Sequence, residues 1–265
     1  MTEATVEKQM DSMPALSGKD CLVWMENISK RFGTITALQG VNFGVNRGEV
    51  RALLGDNGAG KSTLIKILMG LYPPTTGQIY IEGKPVTIHS PGEARSIGIE
   101  AVYQDLALVN LMSITRNFFL GREMVKTAGP VSWLDLRTMN QLCRKALHEI
   151  GIEIRSPAER VGSLSGGERQ SIAIGRGVHF GAKVLILDEP TSALSVAETR
   201  KVLTYINNAR DRGLGVIFIT HNVGHVYMVA DSYTIIRHGK HVGTYRKGEL
   251  SQDDIANLIT GERES

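Results

Sequence analysis

Gly55-Asp56-Asn57-Gly58-Ala59-Gly60-Lys61-Ser62-Thr63 fits the pattern G-x-x-x-x-G-K-[ST], a loop whose backbone N–H groups wrap a polyphosphate. Val50-Arg51-Ala52-Leu53-Leu54 precedes it, a short and largely apolar run suited to a buried parallel strand. Residues 61–69 follow, with Leu64, Ile65 and Leu68 at helical spacing and Gly70 placed to stop a helix. Strand, glycine loop and helix together aim a helix N-terminus at the phosphates, where the dipole and unpaired N–H groups favour negative charge. Glycine permits the close backbone approach that a Cβ would block. In this arrangement Lys61 reaches the β- and γ-phosphates and the Ser62 hydroxyl sits on Mg²⁺. A chance glycine turn before Lys-Ser would not bring both flanking elements with it. The stretch implies a nucleoside triphosphate site.

The totals allow one large core or two lobes that share one, in 265 residues. A net charge of +3, from 30 basic and 27 acidic residues, is too small to argue for a nucleic-acid partner, which shows a clustered basic stripe. Cys21 and Cys143 have no C-x-x-C spacing and fit reduced thiols in a reducing compartment, with a single disulfide as the less favoured alternative. The first twenty residues are polar, carry charges and lack an apolar run, so they read as a flexible tail and not as a signal peptide. Residues 213–230 contain no Asp, Glu, Lys or Arg, which approaches the length of a membrane span. Three glycines and Thr220, His221, Asn222 and His225 interrupt them, so Val216-Ile217-Phe218-Ile219 reads as a buried strand followed by a polar turn and a helix.

Strand patterns occupy residues 22–28 and 41–45, then the strand into the glycine loop, then 78–82 with a tight turn at Gly83. Residues 92–98 read as helix and 99–103 as strand, ending at Gln104. From about 105 to 182 strand signals fade and helical periodicity dominates, as in residues 136–150. Strands resume at 184–187 and 216–219, with a helix over 197–212 between them. Residues 234–236 and 241–245 read as strands, and Ser251 and Asp254 stand at capping-box spacing before a last short helix. Trp24 and Trp133 read as packing residues. The layout is an α/β core with an all-helical insertion, which puts a site at the carboxyl ends of the parallel strands.

Two further motifs carry chemistry. Leu164-Ser165-Gly166-Gly167-Glu168-Arg169-Gln170 precedes a helical pattern, and glycines with a serine at a helix N-terminus make an anion site. Alone it is a moderate signal, because Ser-Gly-Gly is also linker chemistry. Val184-Leu185-Ile186-Leu187-Asp188-Glu189-Pro190 is an apolar strand that ends in two acids. Asp188 at the strand tip can hold Mg²⁺ through its shell, and Glu189 can polarise water. His221 read alone is a buried histidine at a strand end, and His225, four residues on, could pair with it. No carboxylate or cysteine completes a zinc set with them.

With these residues in view, residues 21–250 resemble the nucleotide-binding domain of an ATP-binding cassette (ABC) protein. The likeness rests on the phosphate loop 55–63, the signature 164–168 and the acidic strand 184–189. It also includes Gln104 and His221, where the family has its glutamine and histidine switches, and Phe32, where the family has an aromatic that stacks on adenine. The resemblance implies a P-loop NTPase fold with a mixed, mainly parallel core sheet, a small antiparallel β subdomain and an α-helical insertion over about 105–182, in one ATPase domain spanning 21–262. It implies that Gly55, Asp56, Asn57, Gly58, Ala59, Gly60, Lys61, Ser62 and Thr63 hold phosphate, and that Ser62, Gln104 and Asp188 serve Mg²⁺. Glu189 is then the general base, and His221 contacts the γ-phosphate. Ser165, Gly166 and Gly167 belong to the signature, with Ser165 and Gly167 reaching the partner's γ-phosphate across a dimer. Ser195 departs from the family, which usually has Asp there to shape the dimer contact.

Three readings compete for the kind of cassette. A small-molecule kinase has no need of residues 164–168. Soluble cassettes acting on DNA separate the two motifs by long coiled coils, whereas Ser165 lies 104 residues after Lys61 without sustained heptads. Ribosome-acting cassettes usually carry two copies in one chain, and this chain has room for one. The importer ATPase is left, working with separate permease subunits on the cytoplasmic face of the membrane and fed by a periplasmic or extracellular sugar-binding protein. Gly70-Leu71-Tyr72-Pro73-Pro74-Thr75-Thr76-Gly77, Ser90-Pro91-Gly92-Glu93-Ala94 and Leu258-Ile259-Thr260-Gly261 look like ribose-, xylose- and fructose-type importer cassettes. A single cassette implies a homodimer. The run Leu106-Ala107-Leu108-Val109 is open to two readings, a permease-facing patch or core packing.

Overall fold

The computed structural model describes residues 21–261; the tail expected over 1–20 lies outside the described residues. Among the described residues no helix is long and apolar enough to cross a membrane. A six-stranded sheet runs in the order β12-β11-β3-β10-β9-β6, built from β3 (Val50–Leu54), β6 (Ile99–Val102), β9 (Val184–Asp188), β10 (Gly215–Ile219), β11 (Ser232–Arg237) and β12 (Lys240–Arg246). Its pairs are parallel except β11 with β12, which form an antiparallel edge hairpin.

The near-continuous apolar strands follow from burial on both faces. Alternation along each strand sorts its side chains between two cores. Val50, Ala52 and Leu54 of β3, Leu185 and Leu187 of β9, and Val216 and Phe218 of β10 enter one core. The intervening Leu53, Val184, Ile186, Ile217 and Ile219 enter the other. Against the first face pack α5 (Gly166–His179), α6 (Val196–Asp211), α7 (Val223–Val229) and α8 (Gln252–Thr260). Against the second lie α1 (Lys61–Leu68) and a four-stranded antiparallel sheet of order β2-β1-β4-β5, from β1 (Val23–Phe32), β2 (Ile35–Val45), β4 (Thr76–Ile81) and β5 (Lys84–Val86). Ser251 and Asp254 do form the capping box of α8, with Asp in the place more often held by Glu. Short α2 (Pro91–Ser96) leads into β6.

Between β6 and β9 the chain holds α3 (Ile114–Phe118), α4 (Leu136–Glu149) and α5. The all-helical expectation for this insertion needs one correction. A hairpin of β7 (Val125–Ala128) and β8 (Val131–Leu134) interrupts it. Its strands are four residues long and mostly exposed, and the brief Val131-Ser132-Trp133 alternation is too short to mark a strand. Trp133 stands on this hairpin 49% exposed, not in a core, whereas Trp24 packs across the sheet over Gly44.

The loop that follows Gln104 is held by one buried side chain. Asn117 Oδ1 accepts the N–H of Val109 at 2.7 Å, and its Nδ2 donates to the carbonyls of Val109, Met112 and Ser113. The same loop pairs with the segment before the signature, through Val161 N–H to Met112 O and Gly162 N–H to Asn110 O. Leu106 and Leu108 turn half into the core while Ala107 and Val109 are exposed, so the run divides between packing and surface. Asn117→Ala strips partners from a buried loop backbone and is expected to lower stability by about 2 kcal/mol or more, read from the urea midpoint. A shift within experimental error would show that water replaces the side chain.

Candidate active site

Register brings four loops to one end of the sheet. Leu53 pairs with Ile219, Ile219 with Asp188, and Leu187 with Val102, all in parallel. The residues that follow are therefore neighbours: the glycine loop after β3, Glu189 after β9, Thr220 and His221 after β10, and Gln104 after β6. This is the carboxyl edge, where open α/β sheets bind ligands.

In the glycine loop, Gly55 has φ +152°, and a Cβ there would stand 2.2 Å from the carbonyl oxygen of Ile236 on β11. Gly60 has φ +106°, and a Cβ would meet Leu38 and the Ala37 carbonyl of β2. Both neighbours press the loop against the sheet, so glycine is required by backbone conformation and by space alike. Gly239, in the β11–β12 turn, donates its N–H to Ala59 O at 3.0 Å and fixes the loop from the far side. Helix α1 begins at Gly60 with no side-chain cap, whereas Ser165, Ser195, Asn222 and Ser251 cap α5, α6, α7 and α8. Its first-turn amides therefore face a cleft of about 470 Å³ lined by Asn57 to Thr63 and by Ile35, Thr36, Ala37, His238 and Gly239. The Lys61 ammonium folds back onto the carbonyls of Gly55 (2.7 Å) and Asp56 (3.1 Å). Burial pulls its pKa below the usual lysine value, against the charges of Glu189, Asp188 and Asp56.

Beside it, Asp188 is half-buried, and burial with the neighbouring Glu189 charge raises its pKa. Glu189 carries φ +49°, a left-handed backbone that non-glycine residues rarely adopt. Its N–H donates to Ile219 O at 2.9 Å. Its carboxylate accepts the Thr220 hydroxyl at 2.9 Å and the His221 backbone N–H at 3.1 Å, and Oε1 lies 2.8 Å from His221 Nδ1. Acid and histidine thus form one bonded unit. His225 is tied instead to the Thr191 hydroxyl at 2.9 Å. Gln104 is exposed, two residues past the end of β6, and Ser62 is exposed on the first turn of α1.

The signature opens elsewhere. Ser165 caps α5, with Glu168 returning to its N–H, and Ser165 and Gly167 line a second cleft of about 230 Å³ that contains no glycine-loop residue. Phe32 lies at the tip of the β1–β2 hairpin, paired with Ile35 of the phosphate cleft. Its ring meets Tyr72 edge-on at 5.3 Å, and Lys30 Nζ lies 5.1 Å from its centroid.

Comparison with known proteins agrees with this geometry. Residues 38–192 match the ABC transporter family. The chain belongs to the ABC transporter family. It is 44% identical over 239 residues to the xylose/arabinose import ATP-binding protein XylG of Sulfolobus acidocaldarius, covering 90% of this chain and 94% of that protein. It is also 44% identical to the fructose import ATP-binding protein FrcA of Rhizobium meliloti, covering 89% and 92%. The ribose import ATP-binding protein RbsA of Caldanaerobacter subterraneus is 38% identical, and the alignment takes in 48% of its length. Among solved structures, an ATP-binding cassette in its ADP conformation superposes with TM-score 0.76 at 25% identity, over 91% of this chain and 95% of that one. A dimeric cassette bound to ADP and Pi shares the fold with TM-score 0.69 at 23% identity, over 86% of this chain and all of that one. As an ABC ATPase, the chain binds nucleotide and hydrolyses ATP.

In this ABC ATPase, five residues that line the cleft beside the glycine loop carry no sign in the sequence: Ile35, Thr36, Ala37, His238 and Gly239. They reach it through β2 and the β11–β12 turn, and no local motif marks them. Space and conformation give the loop glycines different demands. Gly55→Ala must displace strand backbone and is expected to destabilise by about 2–3 kcal/mol. Gly58 has φ +80° but open space around its Cβ position, so Gly58→Ala is expected to cost about 1–2 kcal/mol, from conformation alone. Urea unfolding of both variants checks the order, and a reversed order would overturn the packing argument.

Proposed function

We propose that the chain is the ATP-hydrolysing subunit of a membrane importer for a monosaccharide of the fructose, ribose or xylose type, acting as a homodimer on permease subunits at the cytoplasmic face. The carrying observation is the juxtaposition of the uncapped α1 amides and Lys61 with the Asp188–Glu189 strand tip. The relatives are import proteins for xylose/arabinose, fructose and ribose, which supports the sugar class. A sugar-binding protein outside the membrane would hand the sugar to the permease, and no nucleic acid takes part.

The phosphates sit on the amides of residues 58–63, with Lys61 leaving the Gly55 and Asp56 carbonyls to meet the β- and γ-phosphates. Phe32 offers its π-face to adenine. Ser62, Asp188 and Gln104 all offer oxygen atoms, a donor set that fits Mg²⁺. Bound there, Mg²⁺ would neutralise charge on the β- and γ-oxygens. Glu189, already bonded to Thr220 and His221, takes the proton of the attacking water, and His221 holds the γ-phosphate. Ser165 and Gly167, which the family resemblance assigns to the nucleotide of the partner subunit, open into a different cleft from the glycine loop, in keeping with that reading. The half-exposed run 106–109 and Leu111, 81% exposed, would meet the permease.

Glu189→Gln keeps the side-chain size but cannot take the proton. It should lower hydrolysis by about 10²–10⁴-fold and run as a dimer with Mg-ATP and a monomer without it, by size-exclusion chromatography beside phosphate release. Lys61→Ala in the same assays should neither bind nor turn over ATP. Near-normal turnover in either variant would remove its assigned role. For the permease surface, Leu111→Glu should leave the isolated ATPase unchanged and lower sugar uptake by cells carrying the transporter. Unchanged uptake would overturn that surface.

A further inference from the structure

Glu198 has no part in the chemistry above, yet it stands between two loops that do. It is the third residue of α6, and its Oε2 accepts the Ser195 N–H at 3.0 Å and the Ser195 hydroxyl at 2.8 Å, closing a capping box. Its other oxygen, Oε1, leaves its own helix and accepts the N–H of Gly167 in the signature at 3.2 Å. Helix α5 has no need of this bond as a cap, since Ser165 and Glu168 already form a capping box of their own. The contact is also close at the root of the side chain. A Cβ on Gly167 would stand 2.8 Å from Glu198 Cβ, and one on Gly166 would stand 3.0 Å from Leu194 Cδ2. From Ser195 the connection runs back to the acid at the strand tip, because Ser192 donates both its N–H and its hydroxyl to the Glu189 carbonyl.

We propose that Glu198 is a positioning residue that clamps the signature loop to the loop following Glu189, so that Gly167 and Glu189 of one subunit move together when two subunits close on nucleotide. This rests on the cross-subunit reading of the signature given above. The clamp is electrostatically sound: the carboxylate faces the first turns of two helices, where negative charge is favoured. The Ser195 hydroxyl and amide, with Ser165 and the Gly167 amide, hold its pKa at about 2. The group therefore stays charged, and an acid-induced loss of the clamp would appear only as pH falls below the ordinary carboxylate value and through about 2.

The test follows the Gly167 amide directly in ¹H–¹⁵N spectra of the full chain. Glu198→Ala should shift that signal and speed its exchange with solvent about tenfold, the effect of losing a bond to a charged acceptor. Ser195→Ala removes the cap of α6 and one bond to Oε2 but leaves Oε1 and the Ser195 N–H contact in place, so it should move the signal far less than Glu198→Ala. Glu198→Gln keeps the shape and one acceptor oxygen and should fall between, which guards against a folding defect in the alanine variant. In the Glu189→Gln background, Glu198→Ala should raise the ATP concentration needed for pairing about tenfold while nucleotide affinity of the single subunit stays within twofold. An unmoved Gly167 amide overturns the clamp. Equal weakening by Ser195→Ala and Glu198→Ala reduces it to helix capping and overturns it too, and so does stronger pairing in Glu198→Ala, which would make the carboxylate a competitor for the amide. If the Glu189→Gln parent never pairs, the cross-subunit reading fails, and the Gly167 signal still decides the clamp.

Discussion

Parallel pairing of Leu53 with Ile219 and of Ile219 with Asp188 sets how far the phosphate loop lies from the acids. A slip of one residue in either pair would exchange the faces of the strand and bring core residues to the loop. That slip is blocked by two cores at once, because each strand sends alternate side chains into opposite apolar layers. The site therefore inherits its precision from hydrophobic burial. Polar groups at the strand ends need no rigid scaffold of their own beyond short loops.

Opposite charges crowd the carboxyl edge of the sheet, where Lys61 lies beside Asp56, Asp188 and Glu189. Lys61 is pulled down and Asp188 pushed up by burial, so each group is displaced toward its neutral form. Lys61 meanwhile rests on two backbone carbonyls, acceptors that an anionic phosphate would outmatch. Nucleotide and cation together would relieve both displacements, since buried charges are tolerated when paired.

Much of this was legible in the chain because its signals are local. A glycine loop between an apolar strand and a helix, or a strand ending in Asp188-Glu189, is read from a dozen residues. Burial on both faces made β3, β9 and β10 visible as apolar runs. What escaped was either weakly patterned or distant. The β7–β8 hairpin buries almost nothing and its strands are too short to show a clear period, and Trp133 on it reads as a packing residue because large aromatics are highly buried on average. His238 and Gly239 join the phosphate cleft from more than 170 residues away, through strand pairing that no short motif encodes. Glu198 did have a sign, the Ser195-x-x-Glu198 spacing of a capping box, but its second bond to Gly167 belongs to tertiary structure alone.

The left-handed backbone at Glu189 has a consequence for how such a chain drifts under mutation. A residue with φ near +50° is strained unless it is glycine or, to a lesser degree, asparagine, by about 1–2 kcal/mol. Replacement of Glu189 by glycine would release that strain while deleting the carboxylate. The same replacement would remove the acceptor of the Thr220 hydroxyl and the His221 N–H, so the strained backbone is held in place by the bonds its own side chain makes. Drift at this position is thus opposed from within the fold, because a relaxed backbone would be gained only by giving up the three contacts that hold the turn after β10.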